Sequence, residues 1–334
     1  MRAAVIAQYN KPWEIRTLPD PRPGDGQVLI RIEASGMCGT DIHVHRGLFP
    51  LQPPIVAGHE PVGRIVEVGP GADGLKVGDR VGACWVQKGC GRCRYCQERR
   101  PWHCKEQATW MHVGGGNADL MLAHASGCYL VPDGLRPEAA APIFCAGFTV
   151  FSGLRNADPR PGERVAVLGI GGLGHLAVQY SRALGLETLA LTGTEGKRKE
   201  LLAMGADEVI VIGSDAGKAL MDAGGADIVL ATTNSAAQVT QALTGLRPDG
   251  RLVLMGLVDA PIQVNPFDFL LPQRHLIGST QHHRRDLVEA LGLAAAGKVK
   301  PVLEVYPLEK ADEARARLES GRVRYRAVLT TGAA

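Results

Sequence analysis

The sequence predicts an α/β protein in which a mostly β part with irregular loops accompanies a doubly wound parallel sheet. Two observations predict this division: all eight cysteines lie within the first 145 residues, and no proline lies between Pro161 and Pro248. The chain has 334 residues, whereas a single hydrophobic core rarely grows beyond about 250–300 residues. We therefore expect two domains of different construction.

The first part of the chain carries short β-type segments separated by turn sequences. Residues 27–34, 63–68 and 79–83 are apolar and rich in β-branched side chains, which is typical of strands. Glycine and proline clusters such as PGDG and GPGADG lie between them and indicate turns. These patterns predict a mostly β domain.

The middle of the chain alternates apolar strands with helix-like segments. Near-continuous apolar strands of this kind, separated by helices, indicate a parallel sheet that is covered on both faces. After residue 284 we expect one amphipathic helix and a final strand, RAVLT. The strands are predicted at residues 164–168, 188–191, 208–212, 227–231, 251–255 and 276–279, with helices such as 173–184 and 197–204.

Composition and charge give no support to several classes of protein. The net charge of +3 is too small to indicate nucleic acid or a membrane surface as a partner. The N-terminal residues contain no apolar run of signal-peptide length, and no segment approaches the roughly 20 apolar residues of a membrane span. We expect a cytoplasmic protein whose cysteines are metal ligands or free thiols.

A glycine-rich turn follows the first strand of the predicted parallel sheet. Gly169, Gly171, Gly172, Leu173 and Gly174 belong to a G-x-G-x-x-G match between the strand RVAVL and a helix. Such glycines let the backbone approach a pyrophosphate, and the helix N-terminus supplies N–H donors. The pattern predicts a dinucleotide site, and the alternative is a tight turn without a ligand.

Four cysteines form a compact C-x2-C-x2-C-x7-C pattern in a charged segment that has few apolar residues, namely Cys90, Cys93, Cys96 and Cys104. Four thiolates can close a tetrahedron around Zn²⁺ and leave no open position, so the pattern predicts a structural zinc site. An iron–sulfur cluster uses similar spacing. Cysteines that bind no metal are the other alternative.

Three scattered residues are candidates for a second metal site, namely Cys38, His59 and Cys145. A catalytic zinc needs three protein ligands and one open position. Their spacing alone cannot bring them together, and a buried cysteine or histidine is also an ordinary core residue.

These segments resemble the zinc-dependent medium-chain dehydrogenases over essentially the whole chain. Residues 36–43 (GMCGTDIH) look like the first ligand segment of that family, and residues 58–63 (GHEPVG) look like its G-H-E-x-x-G signature. Residues 142–150 (PIFCAGFTV) resemble the segment that carries its third ligand. The likeness is greatest to yeast-type and bacterial alcohol dehydrogenases and to cinnamyl-alcohol-type members.

The resemblance implies a domain arrangement and a metal content. Residues 1–149 and 283–334 are expected to form a GroES-like catalytic domain that includes a structural zinc lobe at 88–106, and residues 150–282 a Rossmann domain. Two Zn²⁺ per chain are implied, one held by Cys38, His59 and Cys145 and the other by the four-cysteine lobe. A homodimer or homotetramer is also implied.

The same resemblance assigns roles to residues around the catalytic zinc. Glu60 corresponds to a residue that can approach the metal, and Asp41 corresponds to a carboxylate that orients the ligand histidine. Thr40 occupies the position of a hydroxyl that receives the substrate proton, and His43 that of a histidine that relays it. The implied reaction is hydride transfer between an alcohol or aldehyde and a nicotinamide cofactor.

Aromatic residues are expected to line the substrate pocket. Phe49, Trp85 and Trp110 match or border positions of pocket walls in the family, which favours an apolar substrate, although a core position is an equal alternative for Trp110. Within the family the alternative is a polyol or sugar dehydrogenase with a polar pocket. Outside it, a zinc ribbon that contacts nucleic acid would hold only one zinc. Asn117 departs from an aromatic that is common in the family.

The second strand of the parallel sheet predicts NADP(H) rather than NAD(H). An NAD-selective site usually ends this strand with an acidic residue about 20 positions after the glycines, and Thr192 occupies that position here. Glu195 is evidence against this prediction, because a carboxylate that reaches the ribose would favour NAD(H). Hydroxyls, a glycine and two cations that could hold a 2′-phosphate are supplied by Thr192, Gly193, Thr194, Lys197 and Arg198.

Two late arginines match family positions that face the cofactor, namely Arg284 and Arg326. Solvated surface charges are the alternative for both. The preceding pair His282-His283 departs from the glycine–asparagine pair that is common in the family, and the sequence alone explains neither histidine.

Overall fold

The computed structural model describes residues 1–332, and these divide into two compact units. The first unit contains Met1–Cys145 together with the chain from Pro301 onward, and the second contains Ala146–Lys300. The first unit is therefore discontinuous in sequence, whereas the second is continuous.

The N-terminal segment of the first unit consists mainly of short strands. Three 3-10 turns accompany them, at Pro101–His103, Ala125–Gly127 and Ala141–Phe144. The strands are β1 (Arg2–Ile6), β2 (Glu14–Thr17), β3 (Gln27–Met37), β4 (Ile55–Val56), β5 (Glu60–Val68), β6 (Arg80–Ala83), β7 (Val86–Lys88), β8 (Ala108–Thr109), β9 (Leu120–His124) and β10 (Cys128–Leu130), and the helices are α1 (Gly39–His45), α2 (Arg94–Gln97), α3 (Trp110–Val113) and α4 (Pro137–Ala140).

The second unit alternates strands and helices around one parallel sheet. The strand order is β13-β12-β11-β14-β15-β16. The strands are β11 (Arg164–Leu168), β12 (Glu187–Thr192), β13 (Glu208–Val211), β14 (Ala226–Ala231), β15 (Leu246–Leu254) and β16 (His275–Gly278), and the helices are α5 (Ala146–Asn156), α6 (Gly174–Ala183), α7 (Arg198–Ala203), α8 (Ala216–Asp222), α9 (Ala236–Thr244), α10 (Phe267–Leu270) and α11 (Arg284–Ala295).

The chain then returns to the first unit with β17 (Leu303–Pro307), α12 (Ala311–Glu319) and β18 (Arg326–Thr330). The main sheet of this unit runs β10-β6-β5-β3-β18-β17, and β9 pairs with β3. β18 thus lies between β3 and β17, so residues from late in the chain complete a sheet that begins near its start.

Burial explains why the parallel strands read as continuous apolar runs. Val165, Val167, Val229 and Leu230 in the central strands β11 and β14 have no exposed surface. Side chains on both faces of such a strand must be apolar, because helices cover both faces of the sheet. The predicted α/β class with a doubly wound sheet is confirmed.

The compact units divide at positions that differ from the expected domain boundaries. The expected second boundary fell at residues 282/283, whereas the units divide after Cys145 and after Lys300. Residues 283–300 therefore belong to the second unit. The physical reason is that α11 buries Leu287 and Leu291, and the Tyr180 hydroxyl donates a hydrogen bond of 3.1 Å to the Ala290 carbonyl oxygen.

Among residues 1–332, no single helix has both the length and the apolar composition of a membrane span. The consecutive segments Pro137–Phe144 and Ala146–Asn156 meet that criterion only when they are taken together.

Candidate active site

Strand register in the first unit brings distant residues to one point. β3 and β5 are antiparallel, with Gly36 opposite Glu60, so Cys38 and His59 meet where these strands end and begin. β18 pairs with β3 so that Ala327 lies opposite Met37. Because Arg326 precedes Ala327, the same pairing carries its side chain to the cysteine–histidine pair.

Four potential metal ligands converge at this point. The ligand atoms of Cys38, His59, Glu60 and Cys145 all lie within 4.8 Å of one another. The Cys38 Sγ lies 3.2 Å from the His59 Nε2, which in turn lies 3.7 Å from the Glu60 Oε1. Two thiols, an imidazole and a carboxylate form a donor set that suits Zn²⁺.

Cys145 reaches the cluster from a buried 3-10 turn at Ala141–Phe144. The Phe144 ring lies over Gly82 so closely that a Cβ there would stand 2.3 Å from ring carbons. The absence of a side chain at Gly82 therefore lets this turn lie against β6, and Cys145 directly follows the turn.

The electrostatics of the cluster indicate a shortage of positive charge. The Cys38 and Cys145 side chains share a hydrogen bond. This bond holds the pKa of the Cys38 thiol well below its usual range, and it raises the pKa of the Cys145 thiol. Burial disfavours a charge on His59, but Cys38 and Asp41 outweigh it and raise the pKa of the imidazole to about 10. The acidic groups compete for few positive charges, so a divalent cation fits this site.

Glu60 and Arg326 form a buried ion pair beside the ligands. The Arg326 Nη2 donates to both oxygens of Glu60, at 2.5 Å to Oε2. Burial raises the pKa of Glu60, although Arg326 opposes that rise. The space for the carboxylate exists because position 36 is glycine, where a Cβ would lie 2.0 Å from the Glu60 Oε2.

The expected role of Asp41 has only partial geometric support. Its Oδ2 accepts a hydrogen bond of 2.9 Å from the Cys38 backbone N–H and lies 3.8 Å from the His59 Nδ1, beyond hydrogen-bond distance. Asp41 therefore caps α1 and holds the cysteine backbone. Burial raises the pKa of its carboxyl to about 7.

The residues expected to handle the proton lie on α1, directly after Cys38. The Thr40 backbone N–H lies 3.3 Å from the Cys38 Sγ, and Thr40 and His43 are both half-buried, three positions apart on the helix. Nearby His45 is buried, and its Nδ1 accepts a hydrogen bond of 3.2 Å from the Trp13 Nε1–H. No sequence pattern indicated this contact, which anchors α1.

The three expected pocket aromatics lie together on one side of His59. The Trp85 ring lies 5.4 Å from the His59 ring and 5.8 Å from both Phe49 and Trp110. Trp110 also contacts His59, at 6.2 Å between ring centroids. Asn117 is buried, and its Oδ1 accepts a hydrogen bond of 2.8 Å from the hydroxyl of Ser35 in β3.

The four lobe cysteines also converge, with their Sγ atoms all within 4.8 Å of one another. Backbone N–H groups of Arg92 and Cys93 lower the pKa of Cys90 to about 6, whereas burial raises that of Cys96 to about 12. A Cβ at residue 89 would lie 2.5 Å from the Cys96 Sγ, so Gly89 leaves space for the sulfur. Close sulfurs with backbone donors fit a tetrahedral zinc site.

The glycine-rich turn of the second unit joins β11 to α6, as predicted. Gly169 has a φ of +90°, and a Cβ at Gly174 would lie 2.0 Å from the Gly169 carbonyl oxygen. A Cβ at Gly171 would meet no atom within 4 Å. The first and last glycines are therefore required by the turn itself, and the middle one leaves open space. Gly172 and Leu173 lie within the turn, half-buried.

The loop after β12 has an arrangement that the sequence did not reveal. The Arg198 guanidinium donates to both carboxylate oxygens of Glu195 and, at 2.7 Å, to the Val209 carbonyl oxygen. The Lys197 Nζ donates to the Ile170 carbonyl oxygen of the glycine-rich turn, at 2.7 Å. Lys197, rather than Arg198, therefore connects this loop with the predicted phosphate site.

The remaining predicted residues are distributed between the two units. Thr192 is buried at the end of β12, Gly193 and Thr194 are exposed beyond it, and Arg284 is half-buried at the start of α11. Arg326 was expected to face the cofactor, and it lies in the first unit against Glu60. The signal for that ion pair was absent from the sequence, because 266 positions separate the two residues.

Comparison with known proteins decides the family. Residues 24–133 match the alcohol dehydrogenase GroES-like domain, and residues 172–296 match the zinc-binding dehydrogenase family. An alcohol dehydrogenase of Geobacillus stearothermophilus is 41% identical, over 98% of this chain and 99% of that protein. The chain belongs to the zinc-dependent medium-chain alcohol dehydrogenase family. Alcohol dehydrogenase activity, with zinc and a nicotinamide cofactor, is accordingly its function.

Solved structures of an alcohol dehydrogenase and of two further proteins have the same fold. The alcohol dehydrogenase from Aeropyrum pernix is 30% identical and has a TM-score of 0.91, over 99% of this chain and 100% of that one. Acetophenone reductase from Geotrichum candidum, in complex with NAD, is 27% identical over 98% and 96% of the two chains, with a TM-score of 0.86. CAD from Helicobacter pylori, complexed with NADP(H), is 25% identical over 100% and 98%, with a TM-score of 0.88.

Proposed function

We propose that this alcohol dehydrogenase acts on apolar alcohols, aldehydes and ketones at a zinc ion held by Cys38, His59 and Cys145, with NADP(H) as the preferred cofactor. The observation that carries the proposal is the convergence of these ligand atoms, within 4.8 Å of one another, beside a wall of aromatic rings. The aromatic wall favours an apolar substrate over a polyol or sugar.

Proton transfer is assigned to α1. When bound, zinc increases the acidity of an alcohol hydroxyl and the nicotinamide accepts the hydride. The Thr40 hydroxyl accepts the proton from the substrate oxygen as it releases its own proton, and the His43 imidazole takes up the released proton and passes it toward solvent. Half-burial of both residues supports a relay on this helix, since such a relay must reach from the site to water.

Glu60 and Asp41 are proposed to support the ligands rather than to react. Glu60 would remain paired with Arg326 near the metal, and Asp41 would hold the Cys38 backbone through its hydrogen bond. The carboxylates thereby keep ligand positions fixed during the reaction.

A second zinc is proposed in the lobe of Cys90, Cys93, Cys96 and Cys104. Its function would be structural, because four thiolates leave no position open for substrate. The close approach of the four sulfurs supports this proposal. We therefore expect two zinc ions per chain.

The preference for NADP(H) is supported by the end of β12. Thr192 stands where an acidic residue would repel a 2′-phosphate, and a Cβ at Gly193 or Gly196 would meet no atom within 4 Å. Lys197 supplies a cation beside the glycine-rich turn. Glu195 is paired with Arg198, which holds its carboxylate and offsets the charge of that arginine.

A second copy of the chain is the proposed protein partner. In the described part of the second unit, β16 is the last strand of the sheet and pairs only with β15. The residues before it include exposed apolar side chains: Phe267 is 70% exposed, Leu270 69% and Leu271 81%. Two copies of one edge strand can pair antiparallel about a two-fold axis, which would cover this surface in a homodimer.

Zinc analysis and a substrate panel test the proposed reaction. We expect two zinc ions per chain and turnover of several primary and secondary alcohols, with a higher kcat/KM for NADP(H) than for NAD(H). Cys145→Ser should lose one zinc and turnover but remain folded. The proposed ligand set is wrong if that variant retains both metals and the wild-type rate.

A further inference from the structure

The residues that lead to the ligand histidine lie outside the hydrogen-bond ladder of the main sheet. Residues 57–59 connect β4 with β5 and belong to neither strand. Gly58 has a φ of +105°, a conformation that residues with a side chain rarely adopt. The pairing of β5 with β3 therefore relates His59 to the strand before Cys38 only from the C-terminal side of the histidine.

A second segment, residues 115–117, lies against this connection. Its three backbone N–H groups donate to the carbonyl oxygens of residues 56–58, at distances between 2.8 and 3.0 Å. The approach requires glycine on both sides. A Cβ at Gly115 would lie 2.1 Å from the Ala57 carbonyl oxygen, and one at Gly58 would lie 2.6 Å from a backbone nitrogen of the other segment. The two backbones are therefore in direct contact just before the ligand histidine.

The Asn117 side chain connects this contact with β3. Asn117 has no exposed surface, and Ser35, three positions before Cys38, is 1% exposed. The Ser35 hydroxyl donates to the Asn117 Oδ1 at 2.8 Å. Asn117 thus bonds through its backbone to the segment before His59 and through its side chain to the strand before Cys38.

Stability alone does not account for an asparagine at this place. The Asn117 Nδ2 is buried and has no hydrogen-bond partner within residues 1–332. A buried polar group without a partner lowers stability, and apolar side chains at positions 35 and 117 would avoid that loss. The bond to Ser35 is the one contribution of this side chain that an apolar residue could not replace.

We propose that Asn117 is a positioning residue that holds His59 at a fixed distance from Cys38 through its hydrogen bond with Ser35. The inference rests on the proposed zinc site, because it concerns two of the ligands. Ligands that are already held in place lose little freedom when they bind the metal, so the ion should dissociate slowly. Asn117 acts through the backbone of the segment before His59 and is not itself a ligand.

The loss of one oxygen atom tests the inference. Ser35→Ala removes the hydroxyl and should make zinc leave the catalytic site about tenfold faster. The readout is the release of zinc from the zinc-loaded protein to a coloured chelator, and Cys145→Ser, which should keep only the lobe zinc, identifies the phase of the lobe. Asn117→Leu breaks the same bond from the other side. The double variant should therefore release zinc no faster than the faster single variant.

Thr188→Val is the matched control. It removes a buried hydroxyl of the second unit, which donates to the Leu186 carbonyl oxygen at 3.0 Å. Ser35→Ala and Thr188→Val should lower Tm to a similar extent, but only Ser35→Ala should accelerate zinc release. If zinc leaves both variants equally fast, the bond has only a structural role and the inference is wrong.

Cadmium NMR provides a readout that depends neither on turnover nor on dissociation. In the protein loaded with ¹¹³Cd²⁺ we expect two resonances, because the two sites differ in their number of thiolate ligands. Ser35→Ala and Asn117→Leu should shift or broaden the resonance of the two-thiolate site and leave that of the four-thiolate site unchanged. An unchanged two-thiolate resonance would overturn the inference but leave the proposed function intact. A wild type without that resonance would contradict both.

Discussion

The Arg326 guanidinium donates to both carboxylate oxygens of Glu60, and neither side chain is more than 2% exposed. Burial opposes the charge on Arg326, but Glu60, Cys38 and Cys145 raise its pKa above the usual value. The arginine therefore balances the acidic groups of the cluster as well as its carboxylate partner.

Removal of Arg326 alone should destabilise the protein strongly. Arg326→Met leaves the Glu60 carboxylate buried without its partner, which typically costs about 3–5 kcal/mol. The double variant Glu60→Gln, Arg326→Met should recover much of this loss, because it removes both charges. Denaturant unfolding of the zinc-loaded proteins measures the effect.

The matched control is Lys218→Met, which breaks an exposed ion pair with Asp222. Its free energy of unfolding should equal that of wild type, since exposed pairs are screened by solvent. An Arg326→Met variant as stable as this control would show that the buried pair has no structural role.

Cys104→Ser should lower stability through loss of the lobe zinc. Cys104 is the buried member of the four-cysteine set, and structural zinc contributes directly to the free energy of folding. We expect one zinc per chain and a lower Tm, measured by elemental analysis and calorimetry. Cys128→Ser, outside both ligand sets, should keep two zinc ions and the wild-type Tm; equal results for the two variants would exclude a metal-binding lobe.

His43→Ala should slow turnover about ten- to a hundredfold near neutral pH without loss of zinc, because a proton acceptor is removed. The loss should be greatest at low pH, since hydroxide can take the proton from the site as pH rises. The measurement is a pH–rate profile with and without added imidazole, which should restore part of the rate only in the variant. An unchanged profile would remove His43 from the mechanism.

Thr192→Asp should reverse the cofactor preference. A carboxylate at the end of β12 would repel the 2′-phosphate, so the ratio of kcat/KM for NADP(H) to that for NAD(H) should fall at least about tenfold. Met221→Asp places the same charge on an exposed residue of the second unit and should leave the ratio unchanged. A wild type that prefers NAD(H) would contradict the proposed role of this loop.

Leu271→Glu should weaken self-association. Leu271 is 81% exposed before the edge strand β16, and a charge at this position would be costly to bury between two copies. Light scattering should give a multiple of 35.5 kDa for wild type and a shift toward that mass for the variant. Val77→Glu, on the first unit and 61% exposed, is the control. A wild type that is monomeric at micromolar concentration would exclude the proposed dimer.

Local patterns allowed correct prediction of the parts of the fold that depend on near neighbours. The bounds of β11 and β18 agree with the predicted strands, because each is a short apolar run with turn residues beside it. The lobe cysteines converge as expected, since Cys90 and Cys104 are only 14 positions apart. Short loops restrict where such side chains can go.

Long-range relationships could not be predicted in the same way. Residue spacing alone could not predict that Cys38, His59 and Cys145 lie together. Their proximity depends on the register of β3 against β5 and on the turn before Cys145. The contact of Arg326 with Glu60 depends on the pairing of β18 with β3. The boundary at Lys300 depends on the packing of α11, which its amphipathic pattern does not specify.

The pairing of β18 with β3 also bears on events during synthesis. A ribosome releases Cys38, His59 and Glu60 long before Arg326, and the continuous segment Ala146–Lys300, which forms a compact unit, emerges in between. Until β18 arrives, the nascent cluster contains thiols and carboxyls without their guanidinium. If zinc binds there as proposed, an ion that binds at this stage would supply the missing positive charge and would favour closure of the sheet.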